Sequence, residues 1–502
     1  MARPDMHTVS TRSAAVALIL IALVVSPARA SELSDDLKAR CGRAMEKLGP
    51  DAIAILWSAP SVRYSLDIDY EYRQDSNLYY LTGITQEQTI LVLMPGNQSK
   101  REILFVWDRN LLREHWTGRR LTHEEATERS GIDTVLDASQ FDAFIAAMLD
   151  RRSFAPVVEG EEAAKFFDAL AMGRGRVALT LDAGRPLNAP LTPALEFARS
   201  IRDRFVGFQV SDATPLLTSL RLVKTPYERK VLAASLEISS EAQLAGMRAA
   251  RADAYEYEMV AAIEAAQRSR GAVSWSYPSI VGSGPNATVL HYHGGERQMH
   301  TGDLVLVDAA ANYQYASGDI TRTYPISGAF TPAQRDIYQI VLQAQDEGMK
   351  AATAGSSLEA IHQKTVEVIK AGLLKLGLIT DAAGDQYKMW YTHGSTHYIG
   401  LDVHDVGDRR APLVPGMSFV IEPGIYVRQS ALDGLPRTPE NNALVEKVQA
   451  AVKKYADIGV RIEDSFLLEE TGLRRLSAAV PRTIEEVEAF LQKRQPRAPS
   501  QR

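Results

Sequence analysis

The chain has 502 residues, a length that fits two or three domains rather than one core. Hydrophobic residues make up 45% and charged residues 24%, the balance of a soluble globular protein and not of a disordered or fibrous one. Lys plus Arg number 56 against 62 Asp plus Glu, a net charge of −6 that argues against a general nucleic-acid binder; the single cysteine, Cys41, excludes an intrachain disulfide, Cys-based zinc ribbons and CxxC redox chemistry.

Arg3 and Arg12 precede an unbroken apolar run over residues 14–25, followed by Pro27 and the small-residue pattern Ala28-Arg29-Ala30. That order describes a secretory signal peptide over residues 1–30. The run is short for a hydrocarbon core of ~30 Å. Cleavage after Ala30 is therefore expected, leaving a chain that begins at Ser31, is exported to the periplasm or the extracellular space, and is not held in a membrane. An uncleaved anchor is the alternative. Residues 31–213 mix strand-length apolar runs, at 52–58, 89–94 and 103–107, with a helix over 121–130 behind Thr122. This is an α/β domain, with a boundary expected at 216–224. Thr225-Pro226-Tyr227-Glu228 then places an N-cap, a proline at the first helical position and a Glu at the third, opening a helix to about Gly246. Thr331-Pro332-Ala333-Gln334 repeats the device. Residues 493–502 are rich in Pro, Gln, Arg and Ser and are expected to be a disordered tail.

The repeated helix start is part of a duplication. Gly246-Met247-Arg248-Ala249-Ala250 is echoed by Gly348-Met349-Lys350-Ala351-Ala352. The run LVLVD ending at Asp308 is echoed by SFVIE ending at Glu422. His291 and His404 stand 113 positions apart, and Asp308 and Glu422 stand 114 apart. Residues 221–486 thus read as two related halves, each with an apolar strand that ends in a carboxylate and a histidine upstream.

Common catalytic signatures such as GxSxG, GxxxxGK[ST] and HExxH are absent. Histidines concentrate instead, three of the ten between 291 and 300 and three between 393 and 404. Among them lie Asp308, Asp319, Glu422 and Glu463, each set in apolar or strand-like sequence. A carboxylate in such a setting is costly to bury unless it is paired or binds a cation. Taken singly, each has a bland reading as a cap, a loop residue or a partner in a surface pair such as Asp319–Arg322. Taken together with His397, they form a ligand set of hard oxygens that suits Mn²⁺, with Co²⁺, Fe²⁺ or Zn²⁺ as alternatives.

In order, the blocks VLHYHGG, GDLVLVDAAANYQYASGDITRTYP, HGSTHYIGLDVHDVG, IEPGIY and GVRIED resemble the aminopeptidase P branch of the pita-bread metallopeptidases. DYEYRQDSNLYYLTG and HWTGRR are similar to that family's amino domain. The resemblance implies an α/β (α+β) chain, in which a smaller creatinase-like domain over 31–213 precedes a pita-bread catalytic domain over 221–486. It implies two divalent metal ions held by Asp308, Asp319, His397, Glu422 and Glu463, with Asp319 and Glu463 bridging. His291, His393 and His404 would line the substrate site, Arg461 would hold a bridging carboxylate, and Glu422 would shuttle a proton. The implied activity is release of the first residue from peptides with proline in second position, by a metal-bridged hydroxide, in a homo-oligomer (dimer or tetramer). Three alternatives share the fold: a prolidase, a metal-free creatinase-like hydrolase and a non-catalytic binding module. The chain departs from the family at Asp308-Ala309-Ala310, usually Asp-Ala-Gly, and at Ser395-Thr396, commonly Leu-Ser. Residues 428–458 are longer than usual and are expected to reshape the mouth of the site. The amino domain is expected to help form the groove on the leaving-group side.

Overall fold

The computed structural model describes residues 27–181 and 186–493. The apolar run at 14–25 and the predicted tail beyond Lys493 lie outside the described residues. A helix, Pro27–Leu48, spans the predicted cleavage point. Among the described residues, no helix is long and apolar enough to cross a membrane.

The amino domain is built on a six-stranded mixed sheet. Its order is Thr134–Asp137, Glu102–Val106, Ile90–Leu93, Ala52–Trp57, Gly175–Leu179 and Phe208–Asp212. The central strand Ala52–Trp57 is an apolar run because both of its faces are covered. Ala52, Ala54 and Leu56 feed one core with Leu78 and Leu81, whereas Ile53 and Ile55 feed the opposite core with Phe141 and Phe144. The predicted helix behind Thr122 is His123–Ser130, closed by a reciprocal capping box between Thr122 and Glu125.

The expected boundary at 216–224 is not a loose linker. Thr214–Leu222 is a helix whose Leu217 and Leu220 are buried in the amino-domain core. Leu401 and Tyr315, from the catalytic part, enter that same core, so the two domains share apolar packing.

Two halves follow, as the duplication predicts. The first pairs the helices Pro226–Ala249 and Glu256–Ser269 with the antiparallel strands Ile280–Ser283, Leu304–Asp308 and Thr321–Pro325. The second pairs Pro332–Ala351 and Leu358–Lys375 with the strands Ser418–Ile421, Asp464–Glu469 and Gly472–Arg475. Thr225 and Thr331 each close a capping box at the expected place. The first long helix runs on to Ala249, past the expected end, and its Gly246 lies against Ile263 of the next helix. The pseudo-symmetry extends to a matched pair of glutamines. Gln243 donates to Ala309 O and Ile320 O at 3.0 and 2.7 Å, and Gln345 donates to Ile421 O and Ile462 O at 3.0 and 3.2 Å. Each glutamine therefore ties together two segments that carry candidate ligands. The halves meet where Glu463 N donates to Thr321 O at 3.0 Å.

Residues 428–458 lend no residue to the lining of the candidate site. They form the helices Gln429–Asp433 and Pro439–Tyr455, whose Val448, Val452 and Tyr455 are buried in the catalytic core. Tyr455 OH donates to Asp336 on the helix Pro332–Ala351 at 2.7 Å.

Candidate metal centre

The four carboxylates converge because strand ends converge. Asp308 closes the strand Leu304–Asp308, and Asp319 precedes the strand Thr321–Pro325 that pairs with it. Glu422 follows Ser418–Ile421, and Glu463 sits between Ile458–Arg461 and Asp464–Glu469. Strand pairing in each half and the join at Thr321–Glu463 bring all four to one point.

His397 completes the cluster. Its Nδ1 donates to Tyr398 O at 3.1 Å, which leaves the Nε2 lone pair aimed at the carboxylates. Nε2 lies 3.4 Å from Asp319 Oδ2, 3.6 Å from Glu422 Oε1 and 3.9 Å from Glu463 Oε1. Glu463 Oε2 accepts from Thr321 Oγ1 at 2.7 Å, but buried Oε1 has no hydrogen-bond partner. Asp319, His397 and Glu463 offer one atom each within 4.8 Å of one another. A buried acceptor left unpaired beside an imidazole lone pair is the donor arrangement that a divalent cation satisfies, and the residues fit such an ion.

Electrostatics point the same way. Burial, and then Asp308, push Asp319 well above the ordinary carboxylate range. Burial and Glu463 do the same to Glu422, and burial and Asp319 to Glu463. Such a carboxyl stabilises the fold while protonated and withdraws that stabilisation as the pH climbs through its raised pKa. Protein stripped of metal should therefore lose stability as the pH rises from about 5 toward neutrality, whereas loaded protein should not. Calorimetric melts of loaded and stripped protein across that range check this. A Tm gap that stays constant with pH would show that the metal does not neutralise these groups.

Around the cluster lies an open cleft of about 1290 Å³. His291, His393 and His404 line it, as expected, together with His293 and Arg409. The His404 ring stands edge-on to the His397 ring at 4.4 Å. Burial, then His397 and His291, hold His404 below the ordinary imidazole range, so it is a neutral N–H donor at pH 7. His393 is more constrained than expected. Its Nδ1 donates to Gly394 O at 2.8 Å, and its Nε2 accepts from Tyr426 OH at 2.8 Å. Burial, then Arg461, hold it neutral with a pKa of about 3. Its Nδ1 also stands 3.5 Å from Glu422 Oε2, so His393 bridges Tyr426 and a candidate ligand.

Arg461 departs from expectation too. Its NH2 donates to Asp308 Oδ2 at 2.6 Å, not to Asp319 or Glu463. It reaches Glu463 only through Thr321 Oγ1, 3.1 Å from its Nε. Arg461 lies opposite Gly424 at the end of Ile458–Arg461, and its backbone N–H donates at 3.1 Å to the hydroxyl of Thr323, on the strand that pairs with Leu304–Asp308. Arg322 does not pair with Asp319; it is fully buried against Asp464 at 2.7 Å. Tyr277 was not legible in the sequence. Its hydroxyl lies 2.5 Å from Asp308 Oδ1 and 2.6 Å from Asp319 Oδ1. The pairing of Ile280 with Asp308 places Tyr277 just beyond the strand end, and only that register reveals it. The amino domain lends no residue to the lining of the cleft among the described residues.

The model of metallopeptidase family M24 matches residues 230–470, and that of the aminopeptidase P N-terminal domain matches residues 37–158. The chain is 33% identical to the Xaa-Pro aminopeptidase of Escherichia coli over 92% of its own length and 98% of that protein. It is 30% identical to human Xaa-Pro aminopeptidase 3, over 88% of this chain and 81% of that one. Among solved structures, Pseudomonas aeruginosa aminopeptidase PepP superposes with a TM-score of 0.76 at 31% identity, covering 91% of this chain and 98% of that chain. The E. coli aminopeptidase P structure with the inhibitor Pro-Leu superposes with a TM-score of 0.75, also at 31% identity, over 91% of this chain and 98% of that one. With a pita-bread pair of halves behind the aminopeptidase P type of N-terminal domain, the chain belongs to metallopeptidase family M24.

Proposed function

We propose that the chain is an exported dinuclear metal aminopeptidase, which releases the first residue of peptides whose second residue is proline. The observation that carries the reading is the unpaired, buried Glu463 Oε1 facing His397 Nε2 at the floor of a peptide-sized cleft. The likeness to Xaa-Pro aminopeptidases over nine-tenths of the chain supplies the substrate.

Asp308, Asp319, His397, Glu422 and Glu463 would hold two divalent ions, with Mn²⁺ the best match to the oxygen-rich set and Asp319 and Glu463 shared between them. When bound, the ions would lower the pKa of a shared water and offset the crowded negative charge. Glu422, whose pKa is raised by burial, then by Glu463, suits a group that takes a proton and passes it to the leaving proline nitrogen. Neutral His404, with His291 beside it in the cleft, donates to the carbonyl oxygen as charge develops there. Arg461 and Tyr277 hold Asp308 from two sides and fix its carboxylate plane.

One observation favours prolidase as the second reading: Arg409 places a cation in the cleft wall, where the free carboxylate of a dipeptide could find it. Its guanidinium already donates to Thr396 Oγ1 at 3.3 Å and stands 3.9 Å from Glu359, which favours the aminopeptidase. On metal-loaded protein, kcat/KM should be higher for Xaa-Pro-Yaa than for Xaa-Pro or Xaa-Ala-Yaa. A tenfold preference for the dipeptide, about 1.4 kcal/mol in transition-state binding, would move the assignment to prolidase. Equal rates with alanine in second position would remove the proline requirement.

The exported form should begin at Ser31 and assemble as a homo-oligomer. The hairpin Arg63–Ser65 and Ile68–Asp69 supports self-association, since Val62, Tyr64, Leu66 and Ile68 all stand exposed around it. Native mass spectrometry of the exported fraction reads both features. A subunit mass that retains residues 14–25 would favour an anchor, and a single-copy mass would remove the oligomer.

A further inference from the structure

His404 sits on a loop without helix or strand, yet a donor in a catalytic site must be held within about 0.5 Å of its working position. Ser317 of the first catalytic half holds the start of this loop, its N–H donating to Gly400 O at 2.8 Å and its hydroxyl to Leu401 O at 3.1 Å, and further restraint comes from outside the catalytic halves. Leu401 is buried in the amino-domain core, and its carbonyl accepts from Arg73 at 2.6 Å. Two residues before His404, Asp402 accepts from Ser76 Oγ and from Arg221 NH2, each at 2.7 Å. One residue after it, Asp405 accepts from Arg221 at 2.5 Å and from Lys224 Nζ at 2.7 Å. The side chains of Arg221, Lys224 and Asp405 are 3%, 3% and 1% exposed. Arg221 in turn donates to Asn77 Oδ1 at 2.8 Å.

We propose that the amino-domain block Arg73–Asn77, joined through Arg221 and Lys224 to the acidic residues on both sides of His404, is a positioning clamp for that histidine. The clamp assigns work to a sequence block that lies outside the cleft. It also explains how the amino domain serves the reaction without lining the site. Burial would raise Asp405, but Lys224 and Arg221 outweigh it and hold the carboxylate below its ordinary range, so the cluster is a set of true ion pairs. Three cations, Arg73, Arg221 and Lys224, face the carboxylates of Asp402 and Asp405, so the buried Arg221, Lys224 and Asp405 are paired rather than stranded. Gly400 leaves room for them. A Cβ at residue 400 would collide with the Asp405 carboxylate and lie 2.6 Å from Lys224 Nζ.

The proposal rests on His404 being a donor in the reaction, and a double-mutant cycle on the metal-loaded full chain separates the two ideas. Asp405→Asn keeps the side-chain shape and removes the charge. It should lower kcat on Ala-Pro-Ala by about tenfold to a hundredfold, since a misplacement of ~1 Å costs as much. Bound metal and KM should stay unchanged. In a His404→Ala background the same substitution should have no further effect on kcat. Ser76→Ala should show the same loss to a smaller degree and the same coupling. It removes one hydrogen bond at the partly exposed side and carries the test should Asp405→Asn not fold. Additive losses in the His404→Ala background would overturn the clamp and leave the cluster as domain glue. Loss of bound metal in Asp405→Asn would overturn it too. If His404→Ala leaves kcat untouched, the donor role fails and the clamp falls with it; if His404→Ala lowers kcat while the other variants do not, only the clamp fails.

Discussion

Asp308→Asn should empty the metal centre and remove nearly all activity. Asp308 is the carboxylate on which the most is stacked: Arg461 NH2 at 2.6 Å on Oδ2 and Tyr277 OH at 2.5 Å on Oδ1. An amide of the same shape cannot accept from both. In one orientation its NH₂ faces the guanidinium, donor against donor; in the other it leaves the Tyr277 hydroxyl without that acceptor. The substitution also removes one negative charge from the cluster that, in the proposed centre, would offset two divalent ions. Metal-supplied charge stabilisation in the transition state is worth several kcal/mol, so the loss should be on the order of 10³-fold or more in kcat/KM. Metal analysis of gel-filtered protein, alongside kcat/KM, reads both effects. Arg461 would lose its buried partner, so a melt is needed to show that the variant is folded. A folded Asp308→Asn protein with full metal content and unchanged rate would remove Asp308 from the ligand set.

His404→Ala should do the opposite to the metal and much the same to the rate. His404 is exposed at the cleft wall and is not packed in a core, so its removal leaves no cavity. Its neutral ring presents an N–H to the cleft beside His397. One donor to a developing oxyanion is worth 10²–10³-fold in kcat, about 3–4 kcal/mol. Bound metal, Tm and KM should change little. If His404→Ala also empties the site, while Asp308→Asn does not, the roles of ligand and donor are reversed.

The site was largely legible because its residues are chemically expensive where they stand. Asp308 and Glu422 end apolar runs, and carboxylates seldom sit there without a partner. Their nearly equal offsets from His291 and His404, 17 and 18 residues, marked the two halves as copies. The helix starts at Thr225 and Thr331 were readable because a cap, an N1 proline and an acidic or amide N3 residue act within one turn. What the sequence did not disclose were partners at long range. Tyr277 depends on the register of Ile280 against Asp308. The choice of Asp308 by Arg461 depends on which strand ends face each other. Residues 428–458 were expected at the mouth of the site, but Val448 and Val452 are buried in the catalytic core and no residue of the stretch lines the cleft.

Read alone, the chain discloses an α/β amino domain, two related halves and an oxygen-rich ligand set, because each of these rests on a local pattern or on the burial cost of a single side chain, whereas the histidines around the site came from the family resemblance. Three-dimensional packing settles which carboxylate Arg461 holds, why His393 is spent on Gly394 and Tyr426, and how residues 73–77 come to grip a loop more than 300 positions away. No local pattern encodes such contacts. Arg73 meets Leu401 only because Leu401 is buried in the amino-domain core with Leu217 and Leu220, and burial of apolar surface, which has no direction along the sequence, brings the charges within reach of one another.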